Sequence, residues 1–305
     1  MKAGAFALSL GGVLAVCLLP AGGVGAESAR VEQTAAATAP AVAPSHPRGF
    51  SLTYDVYTGG FRALRLDFDV DLNGHRDGAA LNADYATSVR METSGIIGFM
   101  FGWRFDASSR GAWRSGDIVP VRYHTANVWK GNERTVTIEY EDGIAAKVRA
   151  RPPYSDEDRK KVAPEMIPGA VDPTSAVTAL VLTSALEGEC RPTTAIYDGR
   201  RRYNANLQVL EPRDLKPSSQ APFAGQAEGC KLTFKRIAGF RPDRKRMQDL
   251  EVDVWMADVG AAPGATPGRV LVRLELFTPW GNGFAHLVRA RDGDGTLVFG
   301  EAGGD

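Results

Sequence analysis

Cysteine is scarce. The 305 residues hold three, Cys17, Cys190 and Cys230, with no C-x-x-C pair among them. That spacing excludes the zinc-ribbon and thioredoxin-type readings. Histidine is nearly as rare, with four residues (His46, His75, His124 and His286) spread along the chain. No H-E-x-x-H, G-x-S-x-G, P-loop or dinucleotide fingerprint occurs, so no motif announces a metalloprotease, a serine hydrolase or a nucleotide enzyme. Charge of one sign is lacking as well. Lysine plus arginine and aspartate plus glutamate both number 36, so no global field steers the chain to nucleic acid or to an anionic membrane. Long hydrophobic runs are confined to the start, where Ala5–Leu19 is too short to span a bilayer comfortably.

That start is informative. Met1-Lys2, the apolar run, Pro20 and the small residues ending Val24-Gly25-Ala26 describe a secretory leader cleaved after Ala26. A lipoprotein leader using Cys17 fits less well, because Val16 precedes the cysteine and apolar residues continue beyond it. Removing residues 1–26 takes away one lysine and no acid, leaving a formal charge of −1. The expected compartment is the periplasm. There the remaining pair, Cys190 and Cys230, reads as one disulfide. On the chain-entropy model, closing that loop stabilises the fold by about 4 kcal/mol.

Residues 27–49 are rich in Ala, Pro and Thr and poor in large apolar side chains, so they form a disordered tether. From Phe50 to about residue 300 the texture is that of a single β-rich domain. In "LRLDFDVDL", Leu64, Leu66, Phe68, Val70 and Leu72 alternate with Arg65, Asp67, Asp69 and Asp71, ending at an Asn73-Gly74 turn. "TVTIEY" and "VLVRLEL" repeat the pattern. Further strands are expected over 50–57, 80–91, 103–113, 118–129, 144–150, 193–198, 230–238, 250–258, 284–290 and 296–299, with surface connections at 151–173 and 211–229. One helix stands out, 173–186, with Asp172 as N-cap, Pro173 in first position and no charged side chain. A helix of that composition is buried on most sides. The expected fold is mainly β: a curved antiparallel sheet or half-barrel wrapped around one apolar helix.

Several blocks, "LTYDVYTGG", "TSGIIGFMFGWRF", "VWKGNERTVTIEYEDG", "VDPTSAVTAL", "IYDGRRRY" and "FKRIAGF", resemble domain-of-unknown-function family 3108 in content and order. The resemblance implies an exported bacterial envelope protein and supplies no catalytic residues. The architecture is also similar to the half-barrels of periplasmic lipoprotein carriers.

No constellation points to catalysis, a metal or a cofactor. "DLNGHRDG" gathers Asp71, Asn73, His75 and Asp77, and "RDGDGTL" holds Asp292 and Asp294, but neither shows a full calcium-loop spacing. Tight hairpin turns use the same residues. The glycine-broken run 94–105 carries Ile96, Ile97, Phe99, Met100, Phe101 and Trp103, which either pack in the core or meet a lipid or membrane. "FTPWGNGF" reads the same way. Within "AIYDGRRRYNANLQV", alternation places Arg200 and Arg202 on a solvated face and Arg201 on the face of Tyr203, Ala205, Leu207 and Val209. Arg201 therefore needs a carboxylate partner or a wet rim, where it could meet an anionic headgroup. Together with Val177, Leu180 and Val181 of the helix, these residues suggest a non-enzymatic protein that binds a hydrophobic ligand, a lipid or a lipidated partner, between sheet and helix. The alternative is a protein-interaction or scaffold role in the envelope without a ligand cavity.

Overall fold

Alternating apolar and polar side chains are satisfied by strands, and the computed structural model builds fourteen of them. It describes residues 49–77, 80–95, 98, 102–114, 116–153, 161–187, 190, 193–240, 251–259, 268–278 and 281–301. The expected leader, 1–26, and the expected tether, 27–49 apart from Gly49, lie outside the described residues. The first seven strands are β1 (Phe50–Thr58), β2 (Phe61–Asp77), β3 (Ala80–Thr93), β4 (Trp103–Arg114), β5 (Asp117–Trp129), β6 (Asn132–Glu141) and β7 (Ile144–Arg151). A single-turn 3-10 segment (Pro164–Met166) and helix α1 (Pro173–Glu187) follow. The chain then forms β8 (Thr193–Tyr197), β9 (Arg202–Leu215), β10 (Gly225–Ala238), β11 (Glu251–Asp258), β12 (Arg269–Thr278), β13 (Gly281–Asp292) and β14 (Leu297–Gly300).

The strands form two antiparallel meanders, β1–β7 and β8–β13, joined where β1 pairs with β13. The result is one open sheet running β7-β6-β5-β4-β3-β2-β1-β13-β12-β11-β10-β9-β8, with β14 alongside β13. Its ends approach each other without a backbone ladder. A Cβ on Gly199, in the turn after β8, would lie 2.9 Å from Val136 Cγ1 on β6 and 3.1 Å from Val148 Cγ1 on β7. The free side of β8 is covered by the incoming chain: Val171 N–H donates to Ala195 O, and Tyr197 N–H to Val171 O, both at 2.9 Å.

The inward rows match the alternation. Leu64, Leu66, Phe68, Val70 and Leu72 are all buried, as are Ile138, Tyr140, Val270, Val272 and Leu276. Helix α1 lies inside the curve, touching β3, β4, β5, β8 and β12. The disulfide Cys190–Cys230, with a Cα–Cα distance of 6.1 Å, ties the chain after the helix to β10.

Three expectations are corrected. Asn73-Gly74 is not a turn: β2 continues to Asp77, with Gly74 paired to Ala83. Glycine is required there because a Cβ would lie 2.1 Å from Asn82 O, so the residue marks close strand approach. The expected connection 211–229 shrinks to 216–224, because β9 runs to Leu215 and β10 begins at Gly225. The prolines of that stretch mark its ends poorly, since Pro212 lies inside β9, on its outer edge beyond the residues paired with β8. The stretch 151–173 ends inside the molecule, with Ala170 and Asp172 fully buried.

Candidate functional site

The helix was expected to be buried through its apolar side chains, but its most deeply buried side chains include a hydroxyl set. Thr174, Ser175, Thr178, Thr183 and Ser184 are buried together with Val181 and Leu182, whereas Ala176, Val177, Ala179 and Leu180 are half-buried. The reason lies in the facing strands, whose inward rows contain Tyr85, Thr87, Ser109 and Thr125. A buried hydroxyl needs a partner, and the helix supplies one to Tyr85, Thr87 and Ser109, whereas Thr183 Oγ1 makes no hydrogen bond.

The centre of this network is Asp172. Its Oδ1 accepts the Ser175 backbone N–H at 2.8 Å, the N-cap bond. Its Oδ2 lies 2.5 Å from Ser175 Oγ, 3.1 Å from Ser109 Oγ and 3.5 Å from Tyr140 Oη. Tyr85 Oη bridges Ser175 Oγ at 2.8 Å and Ser109 Oγ at 3.3 Å. Lower down, Thr178 Oγ1 reaches Thr87 Oγ1 at 2.9 Å. Burial raises the Asp172 carboxyl to about 6, against the opposing pull of its hydrogen bonds from Ser175 and Ser109. Burial, then the charge of Asp172, raises the phenols of Tyr85 and Tyr140, so both remain donors. The carboxylate therefore pins α1 to β3, β4 and β6, and it can hold a proton near pH 6.

A second polar cluster lies across β12, β13 and β1. His286 is buried beside Arg273, its Nδ1 without a hydrogen-bond partner, between Tyr57 and Phe284 at ring distances of 5.9 and 6.0 Å. Burial, then Arg273, lowers its imidazole to about 4. Glu275 accepts a hydrogen bond from Arg213 Nη2 at 2.5 Å and forms an ion pair with Arg273, whose Nε lies 3.0 Å away, and the Arg213 guanidinium sits 4.0 Å over the Trp255 ring. Asp55 binds both Arg62 and Arg65 at 3.1 Å. A cavity of about 10 Å³ beside His286, lined also by Leu215, Ala221, Phe223 and Val272, is the size of a single water.

The residues singled out from sequence divide as follows. Ile96, Ile97, Phe99, Met100 and Phe101 lie outside the described residues. Around them, Gly98 N–H donates to Ser94 O at 3.1 Å and Gly102 N–H to Gly98 O at 2.9 Å. Trp103 is half-buried, stacked on Phe105, and opens β4. Arg201 has its carboxylate: Nε lies 2.9 Å from Asp198 Oδ2, with the Phe240 ring 5.8 Å away. Asp198 also accepts the backbone N–H groups of Arg200 and Arg201, so the triple arginine is organised by a buried turn aspartate. The solvated-face expectation for Arg200 and Arg202 is corrected. Both are half-buried, and Arg202 donates to Met166 O, Tyr203 O and Asn204 Oδ1. Val209 is 71% exposed despite its inward register, because β8 stops opposite Asn206 and leaves the rest of β9 without an outer neighbour.

His124, bonded to Thr137 Oγ1 at 2.9 Å, and His286 are separated by four strands of the sheet. Asp292 Oδ1 accepts the N–H groups of Asp294 and Thr296, which makes "RDGDGTL" a tight turn. Among the described residues, no three His, Cys, Asp or Glu side chains are grouped to hold a metal ion. Sequence reasoning missed the Asp172 and His286 clusters. Their signal was present as polar side chains at inward or paired positions of otherwise apolar strands.

Fold and site together define a mainly-β protein built on one open fourteen-stranded antiparallel sheet that holds helix α1 by a buried polar lock. The chain belongs to the family described as protein of unknown function (DUF3108), whose model matches residues 53–288. Among solved structures it is similar to a β-barrel-like protein of unknown-function family 1849 from Brucella abortus. The two share 12% identity with a TM-score of 0.41, over 80% of this chain and 97% of that one. A lipoprotein candidate from Parabacteroides distasonis shares 12% identity with a TM-score of 0.32, over 79% of this chain and 95% of that one. No curated protein matches the chain.

Proposed function

We propose that the protein is a non-enzymatic component of the bacterial cell envelope, exported by its leader to the periplasm, and that it acts through its outer surface and rims as an interaction module. One observation carries this reading: the space a carrier keeps for its ligand is taken by α1. Its buried residues from Thr174 to Ser184 pack on the strands, where Ser175 bonds Tyr85 and Ser109, Thr178 bonds Thr87, and Ser184 bonds Met256. Opening that interface for a ligand leaves Asp172 and several hydroxyls unpaired, which costs about 1–3 kcal/mol for each group.

A second reading, a hydrophobic ligand between sheet and helix, is favoured by the half-buried side chains of Val177 and Leu180. Native mass spectrometry of the mature protein from envelopes, paired with photo-crosslinking in living cells, separates the two. A ligand-free mass and a defined protein adduct support the interaction module. A stoichiometric lipid lost on Leu180→Asp substitution overturns it in favour of the carrier.

A further inference from the structure

Antiparallel order sorts the side chains between two rims. One rim collects the β1–β2, β3–β4, β5–β6, β8–β9 and β12–β13 connections and the end of β7; the other collects β4–β5, β6–β7, β9–β10 and β13–β14. The near-neutral chain is polarised between them. Among the described residues, the first rim carries the exposed cations Arg62, Arg104, Lys130, Arg149 and Arg151 beside the exposed acids Glu92, Glu133 and Glu251, and Arg62, Arg104 and Arg149 are paired with Asp55, Asp106 and Glu139. The second carries the exposed acids Asp117, Glu141, Asp142, Asp214 and Asp294 beside the exposed cations Arg114, Arg213 and Lys216.

The cationic rim also carries aromatic side chains. Phe61 is 73% exposed and Phe277 42%, and these are the only exposed phenylalanines among the described residues. Trp103 and Trp129, register partners on β4 and β5, are half-buried at the same rim. Lys130 Nζ reaches back over the Trp129 ring at 6.0 Å. A single exposed phenylalanine needs no explanation. Two, placed at strand ends of one rim among cations and half-buried tryptophans, form the arrangement that proteins set at a membrane–water boundary. No helix among the described residues is long and apolar enough to cross a membrane; the contact inferred here is made by the rim.

We propose that this rim docks on the surface of an anionic phospholipid bilayer, the cations meeting headgroup phosphates and Phe61 and Phe277 entering the interfacial layer. The inference rests on the reading of the molecule as a module that works from its surface, and adds the partner. Charge complementarity favours an anionic partner, and two exposed phenylalanines at strand ends beside half-buried tryptophans and cations match the interfacial layer of a bilayer.

The test is co-sedimentation of the mature protein with vesicles of phosphatidylethanolamine and phosphatidylglycerol, against vesicles of phosphatidylcholine alone. Binding is expected to the anionic vesicles, weakening as salt rises from about 0.05 to 0.3 M. Reversing Lys130 and Arg151 together to Glu should weaken it by about tenfold or more. Replacing Phe61 and Phe277 with Ser should weaken it while leaving its salt dependence in place. Protein that stays in the supernatant with anionic vesicles at low salt overturns the proposal. So does binding that ignores both pairs of substitutions, or equal binding to soluble polyglutamate, which marks an acidic polypeptide as the partner. Salt dependence is read on the unaltered protein, so the outcome survives a poorly folding variant. Failure here leaves the crosslinking result for the interaction module untouched.

Discussion

Two buried side chains set opposing responses to acid. Asp172 has its carboxyl raised from 3.8 to about 6, so between those values the folded state holds the proton more firmly than the unfolded chain. Stability from this group is present at low pH and is lost as pH rises through that window, by about 3 kcal/mol at most. His286 is lowered from 6.5 to about 4, so the unfolded chain binds the proton first, and stability from it is lost as pH falls from 6.5 toward 4. The two slopes offset each other across one window. Asp172→Asn keeps the acceptor for the Ser175 N–H, and its amide meets hydroxyls able to accept. Its urea midpoint should therefore fall on acidification more steeply than that of the unaltered protein. His286→Gln should show the reverse tilt. Midpoint curves for the two variants that run parallel from pH 4 to 7 would falsify this account.

At the scale of elements, helix α1 is held at three places: its N-cap, its hydroxyl row and the disulfide just beyond its end. Replacing Cys190 and Cys230 together with Ser is expected to lower stability by up to about 4 kcal/mol. The strand signature in far-UV circular dichroism should remain, since the core is made elsewhere; thermal unfolding followed at that signal checks both. Intact-mass analysis after alkylation without reductant should leave both cysteines unmodified in the mature protein. The helix, its cap and the cysteine pairing were legible in the sequence because each rests on local spacing or on elimination. So were most strands, because alternation is local. The chain order of the sheet was not, since pairing β1 with β13 joins residues more than two hundred positions apart. The Asp172 network was hidden for the same reason: its hydroxyls come from β3, β4, β6 and α1, and each alone reads as an ordinary strand or helix residue. Arg201 shows the partial case. Alternation identified its need for a carboxylate, and the nearest one, three residues back, met it.

The whole molecule is a sheet that curls until its ends meet without joining. At the seam, Gly199 has φ +86 and lies against Val136 and Val148, whereas Gly60 has φ +84 with nothing within 4 Å. Alanine at either position bears the same backbone penalty of about 1 kcal/mol. Only Gly199→Ala also pushes a methyl into the seam, so it should be the more destabilising by a further 1–2 kcal/mol or so, of the order seen for overpacked cores. Denaturant titration of the two variants measures that difference directly. The same geometry sets the order in which the sheet opens. β7 is paired on one side only, by β6, and six of its eight residues are exposed. β2 and β12 are flanked on both sides and bury Leu66, Phe68, Val270 and Val272. Protection against hydrogen exchange follows buried contact and paired backbone. The β6–β7 amides should therefore exchange on the order of tenfold or more faster than those of β2–β3 and β11–β12. Gly199→Ala should speed β6–β7 further while leaving β2–β3 unchanged, because it loosens the seam and not the ladder. Uniform exchange across the sheet would mean that the side-chain seam closes the structure as firmly as a hydrogen-bonded barrel does.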